Sequence, residues 1–322
     1  MRKILVTGGA GYIGSHLVRH LMSRGVEAEN IVILDNLSQG HVDYVPLGVG
    51  LEICDLKNFT KLSQVFKRHE ISEVIHLAGS AYVGESMINP MMYFENNVAA
   101  SINLIKCCEK FNCKKFIFSS SCAVYGNQIG ESICEEHELN PINPYGESKL
   151  MVENILGWLA HTGKIKVISL RYFNVGGAGY GLRERHDPET HIIPIVLQEA
   201  KAGRSIKIYG DDYPTSDGSC ERDFVHVVDL AEAHFLALKY IEEMQTKKEI
   251  FNLGGNNPIS ILDLIKMAES LMDIKISYEF SQRRSGDPAS LVAKSNKARE
   301  VLGWSPKFGL KEILQTTIDS IV

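Results

Sequence analysis

The sequence predicts an α/β fold: a doubly wound parallel sheet followed by a smaller C-terminal α/β lobe. Three observations carry this expectation. Short β-rich runs alternate with helical periodicity through the first half, the pattern of parallel strands joined by crossover helices. Glycines stand directly between the first strand and the first helix, the Rossmann arrangement. After Asn174 the texture changes, and a glycine-rich stretch (VGGAGYG, 175–181) opens a half in which short strands and helices mix.

Residues 3–7 (KILVT) form the first strand, and Ile13, Leu17 and Leu21 then recur at helical spacing. Residues 31–34 (IVIL) read as a second buried strand, 58–69 as a helix and 73–77 as a strand. Val98, Ile102 and Ile105 mark one face of a longer helix, followed by a strand over 115–119 (KFIFS). Residues 145–162 are helical, and 166–171 (KVISLR) form another strand. Further on, strands are expected at 206–209 and 274–280, and helices at 192–202 and 260–271. Residues 224–244 resemble a strand feeding an amphipathic helix that returns to the first unit. The expected division is a dinucleotide-binding domain over 1–174, joined by part of 222–253, and a second lobe over 175–322.

Composition narrows the function. The 322 residues carry 34 Lys and Arg against 39 Asp and Glu, a net charge of −5, which argues against a nucleic-acid binder. No run approaches the roughly 18 apolar residues of a membrane helix, and the opening MRKILVTGGAG is not expected to be a secretory leader. The seven cysteines form no C-x-x-C pair and the eleven histidines no H-E-x-x-H, so a reducing cytoplasm and no metal are expected.

Two motifs carry chemistry. Gly8, Gly11 and Gly14 form G-x-x-G-x-x-G at a strand–helix turn, where backbone N–H groups approach a pyrophosphate at the positive end of the helix. Asp35 ends the second strand 21 residues after Gly14, placed to accept ribose hydroxyls and to repel a 2′-phosphate, which favours NAD over NADP. Tyr145 and Lys149 form Y-x-x-x-K and share a helical face. A lysine ammonium and the positive nicotinamide are expected to lower the Tyr pKa from about 10 toward about 7, roughly 4 kcal/mol in favour of the phenolate. Such a Tyr takes a hydroxyl proton while hydride leaves the same carbon. Ser121, in the serine run at the preceding strand end, is placed to hydrogen-bond the reacting oxygen.

TGGAGYIGSH (7–16), Asp35–Asn36, HLAG (76–79), NNV (96–98), SSSCAVYG (119–126), PYGESK (144–149) and RYFNVGGA (171–178) together resemble the extended short-chain dehydrogenase/reductase superfamily. Within it the chain is most similar to the UDP-glucose 4-epimerases, a likeness that runs on through IYGDDYPTSDG (208–218), ERDFVHV (221–227) and RRSGDPA (283–289). The resemblance implies NAD on the larger lobe and a nucleotide sugar between the lobes. By motif position Tyr145 is the base, Lys149 its partner and a nicotinamide-ribose ligand, and Ser121 the sugar contact. Tyr12 and Ile13 would meet the pyrophosphate, Asp35 and Asn36 the adenosine ribose, and Asp55 and Leu56 the adenine. Leu77, Ala78, Gly79, Asn97 and Phe173 would line the cofactor. Asn174, His191, Lys207, Tyr209, Arg222, Arg284 and Asp287 would hold the nucleotide sugar. Leu291, counted from Asp287, would border the sugar's 2-position. Helices over 97–111 and 151–162 would pair two chains as a homodimer.

The implied reaction is transient oxidation at C4 of UDP-glucose or UDP-galactose, rotation of the 4-keto sugar, and hydride return. Dehydratases of the same fold need carboxyl groups right after the serine; here Cys122 and Ala123 stand there. Two departures bear on the substrate: Ser80–Ala81–Tyr82 replaces a Leu-Lys-Ala run, so a cofactor-contacting lysine is missing at Ala81, and His191 stands where Asn is commoner. The alternatives are a 4-epimerase of UDP-N-acetylhexosamine or another nucleotide sugar and, from another class, a non-catalytic NAD-binding sensor, which the retained Ser121, Tyr145 and Lys149 oppose.

Overall fold

The computed structural model describes residues 3–128, 132–284 and 286–321; Ser285 of the RRSGDPA motif lies outside them. β1 (Lys3–Thr7) leads through the glycine turn into α1 (Tyr12–Ser23). β2 (Ile31–Asp35), β3 (Gly50–Ile53), α2 (Phe59–His69), β4 (Ile71–His76) and α3 (Val83–Ile88) follow. α4 (Pro90–Tyr93) runs through a π turn (Phe94–Ala99) into α5 (Ala100–Lys110), and β5 (Lys115–Ser121), α6 (Pro144–His161) and β6 (Lys166–Tyr172) come next. Then come β7 (Asn174–Gly176), α7 (Ile192–Lys201), β8 (Ile206–Tyr209), β9 (Glu221–Arg222), β10 (Phe224–His226), α8 (Val227–Glu243) and β11 (Lys248–Leu253). The chain closes with β12 (Ile259–Ser260), α9 (Ile261–Met272), β13 (Tyr278–Ser281), β14 (Ser290–Leu291) and α10 (Leu310–Ile321).

Seven strands form one sheet in the order β11-β6-β5-β4-β1-β2-β3, every neighbouring pair parallel. Both faces are covered. Leu17, Val18 and Leu21 of α1 and Leu230, Ala231 and Ala233 of α8 pack on one side. Leu62 and Phe66 of α2, Leu104 of α5 and Val152 and Leu156 of α6 pack on the other. A further core joins Val196 and Leu197 of α7, Ile206 and Ile208 of β8, Leu264 and Ile265 of α9 and Ile313 of α10. The strand order reverses between β1 and β4, and that switch point opens the crevice where such sheets bind ligands.

Two strands of the sheet carry no readable sequence signal, and both are edges. β3 has no fully buried residue, and β11 (KEIFNL) buries only its last three; an edge strand needs no continuous apolar run. The strand expected at 274–280 forms at Tyr278–Ser281 instead and pairs with β8. In the returning segment β10 pairs with β7 outside the central sheet, while α8 packs on α1.

His76 ties the switch point together. It is 1% exposed, with Nδ1 2.7 Å from Thr7 Oγ1 and Nε2 2.8 Å from Ser101 Oγ. Burial, aided by the charge of Lys149, lowers its pKa to about 3. The unfolded chain binds this proton below about 6.5 and the folded chain does not, so the contribution to stability is full above that value and is lost as pH falls through the window. Moving from pH 7 to 5 is expected to remove about 2 kcal/mol through this residue alone. The check is the pH dependence of urea unfolding, which should be shallower in His76→Gln than in the parent.

Candidate active site

The glycine turn is built by close approach. Gly8 has φ +68°, and a Cβ there would lie 2.8 Å from Ala78 N at the end of β4. A Cβ on Gly14 would lie 2.1 Å from Gly8 O, so α1 starts as near the turn as backbone allows. Gly11 is the N-cap of α1, without a side-chain cap, and the first turn carries no acid. The positive helix end therefore opens on the crevice. Ile13 sits in that turn, half-buried. The Tyr12 hydroxyl donates to Gly177 O at 2.5 Å, which ties the first turn of α1 to the glycine-rich stretch after β7.

Asp35 ends β2, and its carboxylate accepts from Ala10 N at 3.1 Å and Leu37 N at 2.8 Å, with acceptor capacity left on both oxygens. Burial raises its pKa against these hydrogen bonds. Asn36 Oδ1 accepts from Ser38 N and Oγ and shapes the following loop. Cys54 N donates to Asp35 O at 2.9 Å, which brings Asp55 and the buried Leu56 beside it. Leu77 and Ala78 lead out of β4, and a Cβ on Gly79 would reach Asn97 Oδ1 at 3.0 Å and Lys149 Nζ at 3.7 Å. A turn that admits only glycine, an uncapped helix end and an acid at the next strand end form a cradle that fits a dinucleotide.

Asn97 lies in the π turn, which aims its amide at the loop after β4: Oδ1 accepts from Ser80 N at 2.8 Å, while Nδ2 donates to Ser80 O at 3.0 Å and Ser148 Oγ at 2.9 Å. π turns recur at functional sites, and nothing in the helical periodicity announces this one.

Ser121 is the last residue of β5. Tyr145 and Lys149 stand on the first turns of α6, which starts at Pro144 and is capped by Asn143 Oδ1, accepting from Gly146 N at 2.8 Å. Lys149 Nζ donates to Ser119 O at 2.8 Å and lies 5.9 Å from the Tyr145 ring centre. Tyr93 meets the Tyr145 ring edge-on at 6.4 Å.

The electrostatics differ from expectation. Burial pushes Tyr145 up to about 12, opposed by a hydrogen bond from Ser121. Burial also pulls Lys149 down to about 8, opposed by Glu153. The ammonium is turned to Ser119 O rather than to the phenol oxygen. In the chain alone burial favours the neutral phenol, and the positive charge of a nicotinamide, when bound, would favour the phenolate. Glu153, one turn beyond Lys149, forms a buried two-point pair with Arg171, Oε2 to Nη2 at 2.6 Å and Oε1 to Nε at 2.9 Å. Its spacing from Lys149 marks it for the same helical face, but only the structure supplies the arginine.

The expected sugar-side residues fall into two groups. Phe173 and Leu291 pack together with Cys122, directly after Ser121. Leu291 pairs in register with Arg222, whose guanidinium is bonded to Asp287. Asn174 begins β7, its N–H donating to Asp223 O at 2.9 Å. Lys207 and Tyr209 share the open face of β8, and the Arg284 guanidinium stacks 3.8 Å from the Tyr209 ring centre. His191 precedes α7 without a side-chain cap, and its Nδ1 faces Glu184 at 2.8 Å and Glu189 at 2.9 Å, which leaves Nε2 as the nitrogen turned away from the two carboxylates. Ala81 is exposed and offers no cation; Tyr82 beside it touches the His191 ring edge-on at 5.7 Å.

Known proteins share this architecture. A model of the NAD dependent epimerase/dehydratase family matches residues 4–254. The chain is 44% identical over 317 residues to a UDP-glucose 4-epimerase of Lacticaseibacillus casei, covering 97% of this chain and 95% of that protein. A UDP-glucose 4-epimerase from Bifidobacterium longum, solved in complex with NAD+ and UDP, superposes with a TM-score of 0.92 at 33% identity, over 99% of this chain and 97% of that one. The UDP-Glc/GlcNAc 4-epimerase of Campylobacter jejuni superposes with a TM-score of 0.85 at 37% identity, over 99% of both chains.

Proposed function

The chain belongs to the NAD-dependent epimerase/dehydratase family and is an NAD-dependent UDP-hexose 4-epimerase, and we propose that Tyr145 is its acid/base, bonded by Ser121 and flanked by Lys149. When bound, NAD supplies the hydride acceptor and donor for C4. Tyr145 removes and returns the 4-hydroxyl proton, Ser121 orients that oxygen, and Lys149 holds the nicotinamide ribose. Arg222 and Arg284 hold the diphosphate, since guanidinium forks match phosphate oxygens, while the 4-keto sugar turns about that linkage. The observation that carries this reading is the trio itself, beside the glycine turn and without a carboxyl group at Cys122 or Ala123. The buried Cys122 thiol, pushed up to about 12 by burial, is no substitute for the acid that elimination needs.

Residues 1–174 with part of 222–253 act as the NAD domain and 175–322 as the sugar lobe. No helix among the described residues is long and apolar enough to cross a membrane. Seven free thiols suit a reducing cytoplasm. Met151 and Trp158 are exposed on α6, where a second copy of the chain would dock.

A closed redox cycle keeps its cofactor, so NAD is expected in the supernatant of the denatured, purified protein, and conversion of UDP-galactose to UDP-glucose is expected without added cofactor. NADP alone, or no conversion of any UDP-sugar in a panel, defeats the reading.

Leu291 favours a second substrate. It packs with Phe173 and Cys122, and is shorter than Tyr by most of a ring. If it borders the 2-position, N-acetylated UDP-sugars are epimerised too. Leu291→Tyr is then expected to cut kcat/KM for them by roughly ten- to a hundredfold, the scale of 1–3 kcal/mol of overpacking. UDP-galactose turnover stays near the parent. Equal loss on both sugars makes Leu291 a packing residue only.

A further inference from the structure

The loop between β7 and α7 holds four metal-ligating side chains in eight residues, E-R-H-D-P-E-T-H: Glu184, His186, Glu189 and His191. The members of each pair are two residues apart, the spacing that aims alternate side chains of an extended chain to one side. One donor atom from each lies within 4.8 Å of all the others. Both imidazoles point Nδ1 inward. Glu184 Oε1 is 3.0 Å from His186 Nδ1 and 2.8 Å from His191 Nδ1, and Glu189 Oε1 is 2.9 Å from His191 Nδ1.

We propose that Glu184, His186, Glu189 and His191 form a binding site for one divalent transition-metal ion of the zinc type. Two imidazole nitrogens with two carboxylate oxygens are a donor set for such a borderline cation. The two carboxylates supply the two negative charges it needs. A tetrahedral ion with bonds of about 2.1 Å separates its ligand atoms by about 3.4 Å, so the closest pairs open by about half an ångström and the most distant close.

The surroundings are those of a supported site. The side chains of Glu184 and Glu189 are only 6% and 10% exposed. Thr190 N and His191 N both donate to Glu189 Oε1 at 2.8 Å, fixing that carboxylate as outer-shell bonds fix a ligand. Tyr12 and Tyr82 wall the cluster with edge contacts to the His186 ring at 6.4 and 5.9 Å.

The ion would act as a clasp. The loop is pinned to the segment after β2 by Tyr44 OH donating to Arg183 O at 2.9 Å and Gln39 Nε2 donating to Asp187 O at 2.9 Å. Its far end starts α7. One ion would tie the dinucleotide side, through the Tyr12 and Tyr82 contacts, to the first helix of the later lobe. It touches no reacting atom and has no chemical step.

The test uses full-length protein without a histidine tag, stripped with a chelator and titrated with Zn2+ and Co2+. The expected result is one equivalent of metal per chain, a Co2+ complex with the visible absorption of four-coordinate N/O ligation, and a Zn2+-dependent rise in melting temperature. Glu184→Gln combined with His191→Gln is expected to weaken binding at least about a hundredfold. Cys134→Ser, which removes the thiol bonded to His137 at 3.0 Å, should leave it unchanged. No stoichiometric binding to the parent by about 100-fold molar excess overturns the site, as does binding that survives the double variant or disappears with Cys134→Ser. Should the double variant not fold, parent stoichiometry and the Co2+ spectrum decide, and a six-coordinate spectrum counts against the proposal.

Discussion

Tyr145→Phe is expected to lower turnover by about two orders of magnitude or more, the scale of lost general acid–base catalysis, with the fold intact. The substitution keeps the ring against Tyr93 and removes only the oxygen that Ser121 bonds. No neighbour replaces that oxygen. Cys122 is held neutral by burial, and Lys149 is bonded away to Ser119 O at 2.8 Å. The sign of the pH dependence follows from the phenol. Burial holds it at about 12 in the chain alone, so activity rises with pH until the cofactor-bound base is formed. NAD content should stay near the parent's, because the glycine turn, Asp35 and Lys149 remain to hold the dinucleotide in the proposed arrangement, where Tyr145 adds one contact among many. Lys149→Met is expected to reduce both rate and NAD retention. Initial rates on UDP-galactose, with NAD per chain assayed alongside, separate the two. Parent-like turnover in Tyr145→Phe would remove Tyr145 as the base.

The same residues show why some of the site is legible in sequence and some is not. The glycine turn and Asp35 are local: strand, turn and helix are contiguous, and the spacing alone places them at one crevice. Tyr145 and Lys149 are legible because helical geometry puts positions four apart on one face. What that geometry does not convey is burial, and burial sets the sign of both pKa shifts. Lys149 aims at Ser119 O because β5 passes beneath α6, a contact across 30 residues. The π turn that aims Asn97 leaves no mark in the apolar periodicity. The edge strands β3 and β11 escape because each lacks a covering strand on one side and so needs no apolar run. The histidines of the 184–191 loop match no H-E-x-x-H pattern; their alternate spacing in an extended loop is the readable signal.

The buried pair behind the catalytic helix carries the larger stability effect. Glu153 and Arg171 are each 1% exposed. Ser120 Oγ donates to Glu153 Oε1 at 2.5 Å, Arg171 Nη1 donates to Tyr125 OH at 2.8 Å, and that hydroxyl donates to Asn252 Oδ1 at 2.7 Å. The network joins β5, α6, β6 and β11 under the active site. Glu153→Gln keeps the shape but leaves the Arg171 charge buried without a counter-ion. Breaking one side of such a pair is expected to cost about 3–5 kcal/mol. Replacing both partners, Glu153→Leu with Arg171→Met, removes both buried charges and is expected to cost less than the single change. The loss also reaches the catalytic lysine. Glu153 opposes the fall in the Lys149 pKa, which rests at about 8. Without that carboxylate the ammonium loses its proton at lower pH, and if Lys149 holds the nicotinamide ribose as proposed, NAD retention is expected to fail earlier as pH rises. Urea midpoints at pH 7 measure the first effect and NAD content between pH 6 and 9 the second. A Glu153→Gln midpoint equal to the parent's would show that Arg171 finds its balance elsewhere. A double variant less stable than Glu153→Gln would show that the pair is worth more than its burial costs.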